Sequence, residues 1–437
     1  ETVDSFLLQN TKLGWIVSGP AESSVSKFTS THVTIKEWEQ DLRAFWDMPL
    51  SRDESSRIDD EICEDLFVKG HYRKNDGRYV VPTPWRQDNI KLGNSYHKAV
   101  QHYLGQEKRW LKNKDHKLKS DEFMEEYFNL DHMAEVPKGH QSDTSGEVYY
   151  IPYLSVVRQE ATSTKLRNVF NASSPTSNGV SLNEMIHPGP KLQNHIFDIV
   201  TRIRRFAYVY SSDITKMYRQ ILLRPEDQIK LRILWRAKPQ EPIREFYLKT
   251  VTYGLDCAPW QAIRTLHQVA DDNASDEEIN WIIKNAFYMD DLLYGASSIK
   301  ETQEVIRKIT ETLGKGKLPL TKWATNCPEV LKYIDESHRI SSYVEVDKAD
   351  KDLKILGLHY SPRDDCFLYS IKPILNVGYT KRRVLSIAAS IFDPIGWLLP
   401  VVMKLRIEIQ RLWQEGYDWD DIIQEPSRGQ LENVFSS

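Results

Sequence analysis

The chain has 437 residues, enough for two or three compact units with a substantial core. Its formal net charge of −4 excludes a uniformly basic protein, so any contact with nucleic acid must rest on where the charges lie. The few, widely spaced cysteines (Cys63, Cys257, Cys327, Cys366) suggest neither a disulfide framework nor a zinc site, and the absence of a long apolar stretch or a signal-peptide pattern argues against a membrane span or secretion.

In chain order, the acid-rich stretch from Ser51 to Glu64 predicts a linker or a surface helix. Apolar positions Val100, Tyr103, Leu104, Trp110 and Leu111, then Phe123, Tyr127 and Phe128, predict two amphipathic helices between Asn94 and Leu130. Within them Lys108, Arg109, Lys112, Lys114, Lys117 and Lys119 outnumber the acids Glu107 and Asp115, a bias that reads as a solvated face. Tyr149 to Val157 and Lys165 to Val169 read as strands joined by the polar segment 158–164, and Arg202, Arg204 and Arg205 form a second basic cluster. The apolar run Phe206 to Tyr210 predicts a strand with Asp213 at its end, where an Asp serves as a helix N-cap as readily as a ligand. Helices are predicted from about Ala258 to Asp271 and Lys300 to Leu313. A hairpin follows from Leu353 to Tyr360 and Phe367 to Ile371, with turn composition at 361–365. From Thr380 onward helices take over; Lys381, Arg382 and Arg383 open one, and Val402, Leu405, Ile409, Leu412 and Trp413 recur at helical spacing as core positions.

The informative stretch is Tyr288-Met289-Asp290-Asp291-Leu292-Leu293-Tyr294-Gly295. Asp-Asp also occurs at 59–60, 271–272, 364–365 and 420–421, always in polar surroundings. Only at 290–291 do apolar runs flank the pair, Trp281 to Tyr288 before it and Leu292 to Tyr294 after it, so the carboxylates should stand at a tight turn rising from a buried sheet. Two acids held together repel, which favours a bound cation, and Asp213 is the natural third oxygen ligand.

These residues resemble a known family, the reverse transcriptases of long-terminal-repeat retroelements, and most closely those of the BEL/Pao retrotransposons. The resemblance runs through Tyr149-Tyr150-Ile151-Pro152, Thr164 to Ser173, Gly189-Pro190-Lys191-Leu192, Ser212 to Gln220, Thr252-Tyr253-Gly254 and the Tyr-Met-Asp-Asp hairpin. It continues through Lys322 to Asn326, Leu356-Gly357-Leu358 and Phe392 to Gly396. It implies an α+β right-hand polymerase with fingers, a ferredoxin-like palm and a partial helical thumb. Asp213, Asp290 and Asp291 become the catalytic acids and ligands of two magnesium ions, with manganese as a substitute. Lys165, Arg167 and Lys322 would meet the triphosphate of the incoming nucleotide. Tyr218 would exclude a ribose 2′-hydroxyl, and Tyr253 with Gly254 would lie against the new base pair. The hairpin turn Leu356-Gly357-Leu358 would be a primer grip.

The same resemblance divides the chain into six parts. Residues 1–20 would be an inactive remnant of the end of an aspartic protease, whose catalytic Asp motif is absent, and 21–93 a linker and acidic leader. Residues 94–205 would hold N-terminal helices and fingers, 206–350 a palm with a fingers insertion, 351–379 the primer-grip-like hairpin, and 380–437 partial thumb or connection helices. No ribonuclease H set of acids and no integrase region is read after the polymerase part. The implied activity is RNA- and DNA-templated DNA polymerisation from deoxynucleoside triphosphates. Partners would be an RNA template, a DNA primer or template, and the protease, ribonuclease H and integrase segments of the polyprotein, with no membrane. The implied location is intracellular, in a cytoplasmic virus-like particle with access to the nucleus. The alternative class is a catalytically silent nucleic-acid-binding or assembly remnant of such a polyprotein.

Overall fold

The computed structural model describes residues 2–3, 6–11, 14–18, 54–86, 91–110, 112–157, 166–273, 275–340, 353–356, 358–361, 366–369 and 379–436. The chain divides into two units, Glu1–Arg57 and Ile58–Ser437. In the first, strands Thr2–Val3, Phe6–Thr11 and Gly14–Ser18 form an antiparallel sheet, with Leu8 opposite Val17 and Gln9 opposite Ile16.

The second unit is α+β, built from several small sheets with helices packed on them. Its organising element is a four-stranded antiparallel sheet in the order Phe287–Tyr288, Asp291–Ala296, Tyr208–Ile214, Leu320–Thr325. Side chains alternate across a strand, and here both faces are covered. Tyr210, Ile214, Leu292, Tyr294, Leu320 and Trp323 enter the main core, together with Ile282 and Ile283 from helix Glu277–Asn285 and Val305, Ile309 and Leu313 from helix Ile299–Lys315. Val209, Leu293 and Ala324 point the other way, onto Ile199, Val200 and Ile203 of helix Ile196–Ile203 and onto Leu358 and Tyr360.

A second sheet, ordered Met133–Glu135, Arg244–Leu248, Leu231–Trp235, Tyr149–Tyr150, packs against the same main core. The hairpin Tyr153–Val157 with Leu166–Phe170 is two-stranded, and its connecting residues lie outside the described ones. The two helices expected between Asn94 and Leu130 run Tyr96–Trp110 and Lys114–Asn129. Lys119 pairs with Asp115, as suits a solvated face, whereas Lys117 is only 17% exposed and bonds both Asp121 and the Ala237 carbonyl. The acid-rich stretch becomes helix Glu54–Gly70, but it is more than a surface helix: Cys63 and Phe67 are fully buried on its inner side. Its acids mask that apolar stripe from a composition-based reading.

From Tyr379 the chain forms helices Lys381–Ser390, Leu399–Gln414 and Ser427–Ser436 around a core of Val384, Leu405, Ile409, Leu412 and Leu431. Trp413, expected inside, is 50% exposed and lies edge-on to Trp419 with the Lys381 ammonium over its ring. The amphipathic Lys stem and the second indole give it a surface environment instead of a core one. Among the described residues no helix is long and apolar enough to cross a membrane.

Ile309 has no exposed surface beneath the four-stranded sheet. Replacing it with Ala should lower the unfolding free energy by roughly 2–5 kcal/mol in a denaturant titration followed by tryptophan fluorescence.

Candidate acidic site at the sheet end

The strand Tyr208–Ile214 extends through Asp213, so this residue does not cap a helix; the short helix Met217–Gln220 is preceded by Lys216 instead. Antiparallel register sets Ser212 opposite Leu292 and Asp213 opposite Asp291, two acids facing each other across one pair of strands. Directly opposed like charges are unfavourable in a sheet. On the hairpin, Tyr288 pairs with Asp291, which leaves Met289 and Asp290 as a two-residue turn. Met289 takes the left-handed conformation, φ 56°, which matches the twist of such a turn. The turn is tied to the neighbouring strand end, because the Ile214 N–H donates to the Asp290 carbonyl at 2.8 Å. The backbone therefore brings all three acids to one corner of the sheet.

Burial, followed by the charges of Asp290 and Asp213, pushes the Asp291 carboxyl up to about 7, with Lys322 pulling against that rise. Lys322 lies on strand Leu320–Thr325 and donates from Nζ to Asp213 Oδ2 at 2.9 Å. Its backbone is also left-handed, φ 56°, next to an irregularity in the pairing between Ser211 and Asp213. Two further bonds fix that edge, Ser212 Oγ donating to the Thr321 carbonyl at 2.9 Å and the Thr215 and Thr321 hydroxyls meeting at 2.6 Å.

Carboxylate oxygens are the donors that magnesium and calcium prefer, and their mutual repulsion here is what a divalent cation would relieve. The donor chemistry fits such an ion. Side-chain placement is a separate matter: among the described residues no three His, Cys, Asp or Glu side chains are gathered closely enough to hold one ion, and the Lys322 ammonium sits beside Asp213.

Next to the acids lies an aromatic pair. Tyr218 and Tyr253 stack with ring centroids 4.6 Å apart and planes 29° from parallel. Burial raises the Tyr218 hydroxyl above its usual range, with smaller contributions from the charges of Tyr253 and Asp290. Gly254 follows with φ 97°, and a Cβ there would fall 2.1 Å from the Phe170 carbonyl oxygen. Only glycine suits that close backbone approach. Asn183 Nδ2 donates to the Gly254 carbonyl at 3.1 Å, so the loop is held from behind.

The remaining expected site residues are placed less fully. Arg167 lies on strand Leu166–Phe170 opposite Val156, but its side chain is outside the described residues, as is all of Lys165. Leu356 is left-handed, φ 49°, in the turn between Leu353–Ile355 and Leu358–Ser361, whereas Gly357 lies outside the described residues. Leu358 is buried with Val209 and Leu293, on the side of the sheet opposite the main core. Sequence reading missed Glu126, whose carboxylate reaches Lys216 and Arg219 on either side of Tyr218. One of five acids on its helix, 90 positions before Lys216, it gives no sequence signal for that contact.

Residues 380–437 match the family model described as a Pao retrotransposon-like RNaseH-like domain. The resemblance to the Pao-type retroelements is borne out by this match, which falls on the helices read from sequence as a partial thumb or connection. Among solved structures, the chain is similar to one described as "Structure of the foamy viral protease-reverse transcriptase dRH in complex with ds DNA". Identity is 12%, coverage is 99% of this chain and 67% of that one, and the TM-score is 0.49. No curated protein matched the chain.

Because the folded Asp291 binds its proton more tightly than an unfolded Asp, it lowers stability progressively as pH rises from about 4 to about 7, and fully above that. Asp291→Asn should therefore leave the melting temperature nearly unchanged at pH 4 and raise it at pH 8. The gain should be at most about 4 kcal/mol, reduced by solvent screening, in paired thermal melts without divalent cations. Gly254→Ala should destabilise the chain by about 1–3 kcal/mol in the same assay, through the forced contact with the Phe170 carbonyl.

Proposed function

We propose that this chain is the templated DNA polymerase region, a reverse transcriptase, of a Pao-type retroelement polyprotein, copying RNA or DNA into DNA. The observation that carries the reading is the strand register that sets Asp213 opposite Asp291 with Asp290 in the adjoining turn. In this reading the four-stranded sheet and its helices are the palm, and the hairpin Tyr153–Val157 with Leu166–Phe170 belongs to the fingers. The turn Leu356-Gly357-Leu358 is the primer grip, with the Leu358 side chain anchoring it in the core, and the helices after Tyr379 are a partial thumb or connection.

Asp213, Asp290 and Asp291 would hold two magnesium ions, with manganese as a substitute. Those ions, when bound, supply activation of the primer 3′-hydroxyl and neutralisation of the departing pyrophosphate. The chain's own residues do the rest. Lys322, which pairs with Asp213, would meet the triphosphate of the incoming nucleotide once the acids hold their ions, and Lys165 and Arg167 would contribute further cations. The partly buried Tyr218 ring, backed by Tyr253, blocks the space a ribose 2′-hydroxyl would need. Gly254 lets the backbone approach the nascent base pair.

Partners in this reading are an RNA template, a DNA primer or template, deoxynucleoside triphosphates and the other segments of the polyprotein. The working site is a cytoplasmic particle with access to the nucleus. The ion pair between Lys322 and Asp213 favours a second reading, a silent nucleic-acid-binding or assembly remnant, in which the lysine permanently replaces the cation.

Asp290→Asn separates the two. It should abolish primer extension, by roughly a hundredfold or more, while primer–template affinity measured by fluorescence anisotropy changes less than about threefold. Extension at the wild-type rate in this variant would contradict the assignment of the acids.

A further inference from the structure

We infer that Glu126 is a positioning residue that sets the Tyr218 ring and thereby the choice between deoxyribo- and ribonucleotides; the inference rests on the polymerase reading above. Tyr218 lies on a helix of only four residues, Met217–Gln220, entered through the left-handed Lys216, φ 54° and ψ 42°. One turn of helix contains too few internal bonds to hold its own shape. Its geometry must come from outside.

Two contacts from earlier in the chain supply it. Glu126, near the end of helix Lys114–Asn129, receives Lys216 Nζ at 2.7 Å and Arg219 Nη2 at 2.6 Å through one carboxylate oxygen. These two cations bracket Tyr218 in sequence. On the other side Arg78 donates from Nε to the Gln220 carbonyl and from Nη2 to the Arg219 carbonyl, both at 3.0 Å, which closes the last turn of the short helix.

The Arg219 end of this arrangement is nearly dry. Its side chain is 6% exposed, Nε donates to His132 Nδ1 at 2.9 Å, and its guanidinium lies 4.2 Å from the Tyr127 ring centroid. As an acceptor His132 must be neutral, and burial together with Arg219 lowers its pKa to about 3, so this bond persists at any physiological pH. Lys216 and Glu126 are 37% and 45% exposed, so their own pairing adds little stability. Its consequence is geometric: three side chains fix the helix that aims Tyr218 at Tyr253, and a tilt of that helix opens the space beside the ring.

The test uses the whole chain and Glu126→Gln, which keeps shape and removes charge. Hydrogen exchange on the protein alone should show amides 217–221 exchanging about tenfold faster in the variant, with strand Tyr208–Ile214 unchanged. In primer extension, the ratio of kcat/KM for deoxyribonucleotide over ribonucleotide should fall about tenfold, chiefly through KM for the deoxyribonucleotide and a gain for the ribonucleotide. Arg219→Lys, which keeps charge but loses the forked geometry, should fall between the two.

Unchanged exchange at 217–221 overturns the inference. So does faster exchange with an unaltered nucleotide ratio, because the helix would then move without affecting selection. A wild-type chain that does not extend primers at all removes the polymerase reading and this inference with it, whereas extension with unchanged exchange removes only the role of Glu126.

Discussion

Everything at the acidic corner depends on the pairing of strand Tyr208–Ile214 with strand Asp291–Ala296. A shift of one residue in that register would send Asp213 and Asp291 to opposite faces, since side-chain direction alternates along a strand. The register is held by what lies further down the same pair. Tyr210 and Tyr294 enter the main core while Val209 and Leu293 enter the other, so any slip would mispack apolar groups on both faces at once. Burying a side chain of that size contributes about 1.5–3 kcal/mol, and several such residues together outweigh the repulsion between the opposed carboxylates.

That repulsion is what a bound divalent cation would relieve. A sheet selected for stability alone would not place a carboxylate across from another and a third in the adjoining turn. Burial, followed by the charges of Asp290 and Asp213, raises the Asp291 carboxyl to about 7, and Lys322 beside Asp213 offsets part of that rise. The half-exposed Lys322 ammonium is itself an exchangeable cation, in the sense that stronger positive charge arriving at the Asp213 carboxylate would displace it. The aromatic pair and the constrained Gly254 add shape to that charge.

The acid hairpin was legible in the sequence because its flanks are apolar, unlike those of the four other Asp-Asp pairs. The long amphipathic helices were legible from spacing, and helix Ile299–Lys315 matched its expected bounds closely. Other features depend on contacts between distant segments and have no local signature. Glu126 meets Lys216 and Arg219 only after folding, and Tyr218 and Tyr253, each singled out separately, gave no sign that their rings stack. Helix Glu54–Gly70 misled for a different reason: its many charges hid the inward-facing Cys63 and Phe67. Trp413 shows the reverse error, since helical spacing alone does not distinguish the core side of a large aromatic from a surface ledge shared with Trp419 and Lys381.

The most direct measurement is magnesium-dependent extension of a DNA primer on an RNA template by the purified chain, with Asp213→Asn as the matched control. The account predicts extension by the wild-type protein that requires the metal and disappears in the variant. Primer–template binding without extension in either protein, or equal extension in both, would contradict it.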